Sequence, residues 1–342
     1  MTVLQDEITQ DHGAGAEPMR DLLEELVLPR FAGDGRDDVG LAALDDGAVF
    51  PVGDHAVVVT TDNHVVDPLR FPGGDIGRLA VSGTVNDLAM MGATESVALT
   101  NSLIVEDGLD LDVLDDVFAS MEATCEEADC RIVAGDTKVL AGDDVDRLVM
   151  NTAGVGLIPR GEHVSDAGLR PGDRVVVSGT VGDHGIALLA AREDIGFGAE
   201  LESDVAPIDD LVDLAREAGE VTAMKDPTRG GLSTALNEMA GKAEVGIEIE
   251  ESAVPVRDDV EGAGELLGID PLDVANEGKF VFTVPESDAE AVVSALRDHS
   301  KGTDAAVIGE VVDDHAGDVV LDTGVGRRFL TEPVSEPLPR IC

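Results

Sequence analysis

The stretch FPGGDIGRLAVSGTVNDLAMMG, Phe71–Gly92, is where the fold can be read most directly. Pro72-Gly73-Gly74 marks a turn, and Asp75 to Met91 follows with helical spacing. On that helix Asp87 shares a face with Ile76, Ala80 and Gly83. A carboxylate on an apolar face of small residues needs a partner or a metal. Asp75, Arg78, Ser82 and Asn86 form the other, polar face, which is predicted to meet solvent.

Outward from this helix the elements alternate. Residues 17–28 read as an amphipathic helix closed by Pro29, and strands are predicted at Ala48–Val52 and Ala56–Thr61. A strand at 96–105, a helix at Leu111–Ala128 and strands at Arg131–Ala134 and Leu148–Leu157 follow. Pro159-Arg160-Gly161 reads as a domain boundary. In the second half, strands are expected at Arg174–Ser178, Gly246–Glu250, Lys279–Val284 and Ala306–Val311. Helices are expected at Gly185–Arg192, Ile208–Ala218, Gly231–Ala240 and Glu286–Asp298. The class is α+β without internal repeats, divided into residues 1–158, 159–325 and a flexible tail, 326–342. Pro333, Pro337 and Pro339 keep that tail out of helices and central strands.

The chain has 342 residues, 71 of them acidic against 23 Lys and Arg, for a formal charge of −48. Nucleic acid and anionic membranes are poor partners for such a surface. No apolar run approaches the roughly 18 residues of a membrane span. Met1 to Gln10 lacks a basic flank and an apolar core, so a cytoplasmic protein is expected. Only five of the basic residues are Lys, a balance that suits a very salty cytosol, where a Debye length of about 3 Å screens the self-repulsion. Three cysteines imply no disulfide framework.

Candidate chemistry lies with the carboxylates. Asp45 and Asp46 stand in a turn before a strand, and Asp62 and Asp136 each follow a strand. Carboxylates gathered at strand ends suit Mg²⁺, although in so acidic a chain each one alone reads as a solvated surface residue. His12-Gly13-Ala14-Gly15 reads as an ordinary loop, with a backbone cover for a polyphosphate as the alternative; no P-loop or dinucleotide fingerprint is present. Lys138 and Lys279, kept beside polar clusters, are candidates for specific contacts, and Lys242 and Lys301 read as surface residues. His184 reads as a cap or core histidine. Thr228-Arg229-Gly230-Gly231 opens a helix suited to an anion, or Asp226 and Arg229 pair. Cys125 and Cys130 read as packing residues, whereas Cys342, the last residue, has no core to fill.

The terminal Pro339-Arg340-Ile341-Cys342 resembles the tail of the HypE family, the carbamoyl dehydratases of NiFe-hydrogenase maturation. The stretches around His12–Gly15, Phe71–Gly92, GDTKV (Gly135–Val139), Asn151–Gly156, VSGTVGDHGIA (Val177–Ala187), DPTRGGLSTALNEMA (Asp226–Ala240) and ANEGK (Ala275–Lys279) are similar to it in order. GDTK and the Asp87 helix alone mark the wider aminoimidazole ribonucleotide synthetase-like superfamily of ATP-using enzymes. The resemblance implies that superfamily's two-domain fold: an N-terminal ATP-binding α/β domain that forms a β-barrel with a second copy in a homodimer, and a C-terminal α+β domain.

It further implies ATP with Mg²⁺ in a cleft. Asp45, Asp46, Asp62, Asp87 and Asp136 would serve the metal, and His12, Gly13, Gly15, Asp62, Asn86, Asp87, Asp136 and Thr137 the nucleotide. Cys342 would receive a carbamoyl group from HypF and be dehydrated to a thiocyanate, with Glu277 as base and Lys138 assisting. The cyano group would pass to iron on a HypC–HypD scaffold. Asn63 departs from the serine common in the family, which leaves any hydroxyl contact to nucleotide there in doubt. A non-catalytic assembly factor and a related kinase or synthetase are the alternatives. Twelve residues from Thr331 to Cys342 give a reach of roughly 35–40 Å at about 3.1 Å each, enough for a swinging arm that enters the cleft.

Overall fold

The structure is a computed structural model that describes residues 7–13, 17–33, 38–95, 97–142, 144–193, 201–333 and 340–342. Near its start, α1 (Glu17–Leu22), a π-helical turn (Leu23–Val27) and α2 (Leu28–Phe31) follow one another without a break. The helix expected to close at Pro29 therefore runs on to Phe31. Pro29 falls in the first turn of α2, where a missing N–H costs least.

The first half builds an open sheet from β1 (Ala48–Val52), β2 (His55–His64), β5 (Ala98–Glu106), β6 (Arg131–Leu140) and β7 (Leu148–Pro159). The two-residue strands β3 (Arg70–Phe71) and β4 (Gly74–Asp75) form a separate hairpin. Strand order is β1-β2-β7-β5-β6, antiparallel except for the parallel β5–β6 edge. Two strands run further than their alternation suggested. Asp62 lies inside β2, and Asp136, Thr137 and Lys138 lie in the middle of β6 rather than beyond its end.

Helices α3 (Ile76–Met90) and α4 (Leu111–Glu127) cover one face of this sheet. Asp75 caps α3, its Oδ1 accepting from the Arg78 N–H at 2.9 Å. A Cβ on Gly77 would stand 2.3 Å from the Val117 carbonyl oxygen, so only glycine lets α4 come this close. The polar side of α3 does not meet water as expected: Ser82 and Asn86 are 0% and 2% exposed. The second half of the chain covers that side. Asn86 Nδ2 donates to the carbonyls of Ala206 (3.1 Å) and Glu277 (3.2 Å), and its Oδ1 accepts from the Ile208 N–H (2.9 Å).

The second half forms a seven-stranded sheet from β8 (Asp173–Val177), β9 (Ala223–Lys225), β10 (Gly246–Glu250), β11 (Val281–Pro285), β12 (Ala306–Val312), β13 (Val319–Asp322) and β14 (Arg327–Leu330), in the order β14-β13-β10-β12-β8-β11-β9. Its helices are α5 (Asp183–Arg192), α6 (Asp209–Ala218), α7 (Gly231–Ala243), α8 (Asp258–Leu267) and α9 (Ala289–Arg297). Leu211 of α6 and Val292 of α9 pack with Phe280 and Phe282 on one face, and Leu236 and Met239 of α7 with Ile247 and Val281 on the other. Sequence periodicity had missed α8, β9, β13 and β14. Residues 327–330, counted with the tail, pair with β13 as an edge strand.

Neither sheet closes on itself within one chain, so the barrel expected from two such sheets is not a feature of this single copy. The uncovered face of the first sheet exposes Phe50, Ile104, Val155 and Leu157. All ten residues of β6 are exposed, Val133 and Val139 among them.

Candidate active site

A cleft of about 810 Å³ separates the two halves. On its first wall, Asp45 and Asp46 come from the turn before β1, Thr60 and Asp62 from β2, and Asp87 from α3. Thr60 joins them: its Oγ1 donates to Asp87 Oδ2 at 2.8 Å and lies 2.9 Å from the Asp46 carbonyl. The opposite wall carries Lys225 at the end of β9, Asp226 and Arg229 before α7, and Glu277 before β11.

A charge network ties the walls together. Lys225 Nζ stands 2.6 Å from Asp46 Oδ1, 3.4 Å from Glu238 Oε2 and 3.6 Å from Asp166 Oδ2. Burial opposes the Lys225 charge, but these carboxylates outweigh it and hold the ammonium protonated. Lys242 Nζ lies 2.5 Å from Asp166 Oδ2 and from the Leu44 carbonyl. Lys242 is thus no surface residue. Nor is Lys301, whose Nζ meets the Pro207 carbonyl at 2.6 Å and Asp210 at 3.1 Å. In a chain with so few lysines, their retention was the one available signal, and reading Lys242 and Lys301 as surface residues passed over it.

Asp87, Asp226 and Glu277 on the cleft resist ionisation. Burial, then repulsion from Asp226, Asp62 and Asp46, holds the Asp87 carboxyl well above its ordinary value. Burial, then Asp46, pushes Asp226 up to about 8. Glu277 is 3% exposed, and burial followed by Asp226 and Asp62 raises it well above a glutamate's usual range. Its Oε1 has no hydrogen-bond partner among the described residues. The backbone around it is fixed: Asp204 accepts from the N–H groups of Glu277 (3.1 Å) and Gly278 (3.2 Å) and pairs with Lys279 Nζ (3.4 Å). Lys279 therefore makes the specific contact its position suggested. Burial opposes the charge on Arg229, and Cys342, Asp62, Asp87 and Glu277 outweigh it.

The chain terminus reaches this place. Cys342 is half-buried and lines the cleft with Glu277, Arg229, Asp62 and Asp87. Ile341 is 3% exposed. The Val65 N–H donates to the Cys342 carbonyl oxygen at 3.0 Å and the Asp67 N–H to Arg340 at 3.2 Å. The Arg340 guanidinium pairs with Asp146 at 2.6 Å.

The two halves match two family descriptions: AIR synthase related protein, N-terminal domain, over residues 44–158, and AIR synthase related protein, C-terminal domain, over residues 170–322. The Carbamoyl dehydratase HypE of Rhodobacter capsulatus is 43% identical over 344 residues, spanning 100% of both chains. The chain belongs to the HypE family. A crystal structure of the hydrogenase maturation protein HypE in complex with ATP has a TM-score of 0.81 at 41% identity and covers 98% of this chain and 100% of that one. A HypE–HypF complex structure gives 0.84 at 41% identity, covering 91% and 99%.

In this HypE fold each wall of the cleft comes from one matched domain, and Cys342 comes from beyond both. Of the residues singled out in the sequence, Asp45, Asp46, Asp62, Asp87, Glu277 and Cys342 meet at the cleft. Asn86 does not; it sits behind the wall and clamps the Glu277 backbone. Asp136, Thr137 and Lys138 do not join the cleft of their own chain, and the Asp136 and Lys138 side chains are 66% and 70% exposed with 3.7 Å between them. His12 is buried against Thr9, 3.0 Å from its Oγ1, and Gly13 is exposed beside it. Neither lines the cleft, and Gly15 lies outside the described residues. Asn63 Oδ1 accepts from Asn151 Nδ2 at 3.2 Å. Asp226 and Arg229 form no ion pair with each other. Lys225 was missed as a site residue, because its partners lie far away in sequence.

Proposed function

We propose that this protein uses ATP to dehydrate a carbamoyl group carried on its own Cys342 to a thiocyanate. One observation supports this above the others. The terminal cysteine shares a cleft with a buried glutamate whose Oε1 has no hydrogen-bond partner among the described residues. An amide oxygen leaves poorly, and phosphoryl transfer from ATP to it makes phosphate the leaving group. Loss of both N–H protons and of phosphate then converts S–C(=O)NH₂ to S–C≡N, with ADP as the other product. Glu277 is the base that takes a proton from nitrogen. Its raised affinity for protons suits it, since a base works best with a pKa near the working pH. The Asn86 and Asp204 contacts hold it in place.

The residues fit Mg²⁺. Among the described residues no three His, Cys, Asp or Glu stand together as a ready-made metal site. Mg²⁺ with a nucleotide, however, takes only one or two protein carboxylates and fills its octahedron with water and phosphate oxygens. Asp46 offers a buried Oδ2 without a partner, and Asp87, Asp62 and Asp45 supply further hard oxygens. The ion, when bound, neutralises phosphate charge. Asp87→Asn is expected to weaken Mg-ATP binding in calorimetry by tenfold or more with the fold intact; wild-type affinity would remove Asp87 from the nucleotide site.

Asp136, Thr137 and Lys138 serve the same chemistry in our reading through a second copy. The unpaired β6 edge and the apolar open face are what a homodimer would cover, since long bare edges and large apolar faces are disfavoured in monomers. Lys138 and Asp136 of one chain would then stand at the other chain's cleft.

HypF is the carbamoyl donor in this reading, and a HypC–HypD scaffold receives the cyano group. Cys342 is half-buried in the cleft, and in this reading the tail leaves the cleft for loading and returns for dehydration. No described helix is long and apolar enough to cross a membrane. In this reading the protein works in the cytoplasm. The acidic, lysine-poor surface suits a halophile. Its melting temperature is expected to fall as KCl drops from molar to about 0.1 M and the Debye length grows from about 3 to 10 Å. An unchanged value would remove the halophile reading. The function itself is tested by intact mass spectrometry after incubation with HypF, carbamoyl phosphate and ATP. A carbamoylated species that gives way to a thiocyanate is expected, and persistence of the carbamoyl form would favour an assembly factor.

A further inference from the structure

The last three residues are held through their backbone carbonyls as well as through their side chains. The Asp67 and Val65 N–H groups take the carbonyls of Arg340 and Cys342, and Arg192 also donates to the Arg340 carbonyl. The Ile341 carbonyl lies between these two, beside a side chain only 3% exposed, and needs a donor of its own.

His184 is that donor. It is 0% exposed at the start of α5, with Nε2 2.9 Å from the Ile341 carbonyl and Nδ1 2.7 Å from Ser203 Oγ. A carbonyl can only accept, so Nε2 carries the hydrogen. Nδ1 then accepts from the Ser203 hydroxyl, whose oxygen in turn accepts from the Val205 N–H at 3.0 Å. Phe71 meets the imidazole ring edge-on, with ring centroids 5.4 Å apart. Burial keeps the imidazole neutral, which this pattern requires. Tautomer and ring plane are both set by the surrounding frame, and the one remaining hydrogen is aimed at the peptide next to Cys342.

We propose that His184 is a positioning residue that latches the terminal cysteine into the cleft through the Ile341 carbonyl. His184 is not itself among the residues that line the cleft. It sets how much of the time Cys342 stands beside Glu277 and how much it is presented outside. Because the contact is to backbone, the latch holds the tail the same way whether the thiol is bare, carbamoylated or cyanated. The proposal rests on Cys342 being the modified thiol.

The test uses the full-length protein and iodoacetamide, with peptide mass spectrometry following Cys342 separately from Cys125 and Cys130. His184→Ala is expected to speed Cys342 alkylation about tenfold, the shift that loss of one buried hydrogen bond allows. His184→Gln, which can still donate to Ile341 and accept from Ser203, is expected to stay within about threefold of wild type. Cys125, 8% exposed, reports on the fold. Equal Cys342 rates in wild type and His184→Ala, with Cys125 protected, overturn the latch. So does a Gln variant as fast as the Ala variant. If His184→Ala also exposes Cys125, Ser203→Ala decides: faster Cys342 alkylation supports the latch and an unchanged rate overturns it. On protein already carbamoylated, His184→Ala is expected to slow dehydration while ATP affinity stays at the wild-type value. Failure of the dehydratase reading would appear separately, as wild-type protein that never forms thiocyanate, and would leave the alkylation rates as they are.

Discussion

Cys342→Ala protein given HypF, carbamoyl phosphate and ATP is expected to remain unmodified while binding ATP as tightly as wild type. The substitution removes one sulfur from the rim of the cleft. The Asp46, Thr60 and Asp87 cluster, the Lys225 network and the Glu277 loop make their contacts elsewhere and stay in place. The terminal backbone keeps its bonds to Val65, Asp67 and His184, so the tail still docks. Loss of modification is then loss of the acceptor and not of the site. Intact mass and calorimetry on the same sample check both halves of the expectation. Labelled carbamoyl on Cys125 or Cys130, or hydrogenase matured in cells by the variant, would overturn the assignment of Cys342.

Glu277→Gln is expected to trap the carbamoylated form and to slow its dehydration by about 10²–10⁴, the usual worth of a positioned general base. Glutamine keeps the shape of the side chain, and Asn86 and Asp204 hold only the backbone, so the loop should not move. The direction of the pH dependence follows from burial. Glu277 is held protonated to higher pH than an ordinary glutamate, so the wild-type dehydration rate should rise with pH as the carboxyl ionises. The Gln variant should lose that rise. Single-turnover rates on carbamoylated protein measure this, and a variant that dehydrates at the wild-type rate with the same pH profile would make Glu277 structural.

Much of this protein is local, and local features were legible in the sequence. Ordered motifs along the chain, the helix over residues 75–91, the strands flanking it and the terminal Pro-Arg-Ile-Cys all depend on near neighbours, so the family and the two-part α+β organisation could be stated from residues alone. Asp87 stood out because a helix places it on an apolar face whatever surrounds that helix. Periodicity, by contrast, reports that a face is polar but not what it meets. Ser82 and Asn86 read as solvent-facing, yet both are buried, and the structure sets the backbone of residues 206, 208 and 277 against Asn86. The Lys225–Asp46 pair spans 179 positions, and no spacing rule reaches that far. Strand alternation could not say where β6 ends, and so misplaced Asp136 and Lys138. The His184 contact to Ile341 spans 157 positions and exists only because α5 and the chain terminus meet behind the cleft. Residue chemistry and short-range spacing determine which groups are available; which of them share one desolvated cleft is decided by the packing of two domains, a long-range property of the tertiary structure.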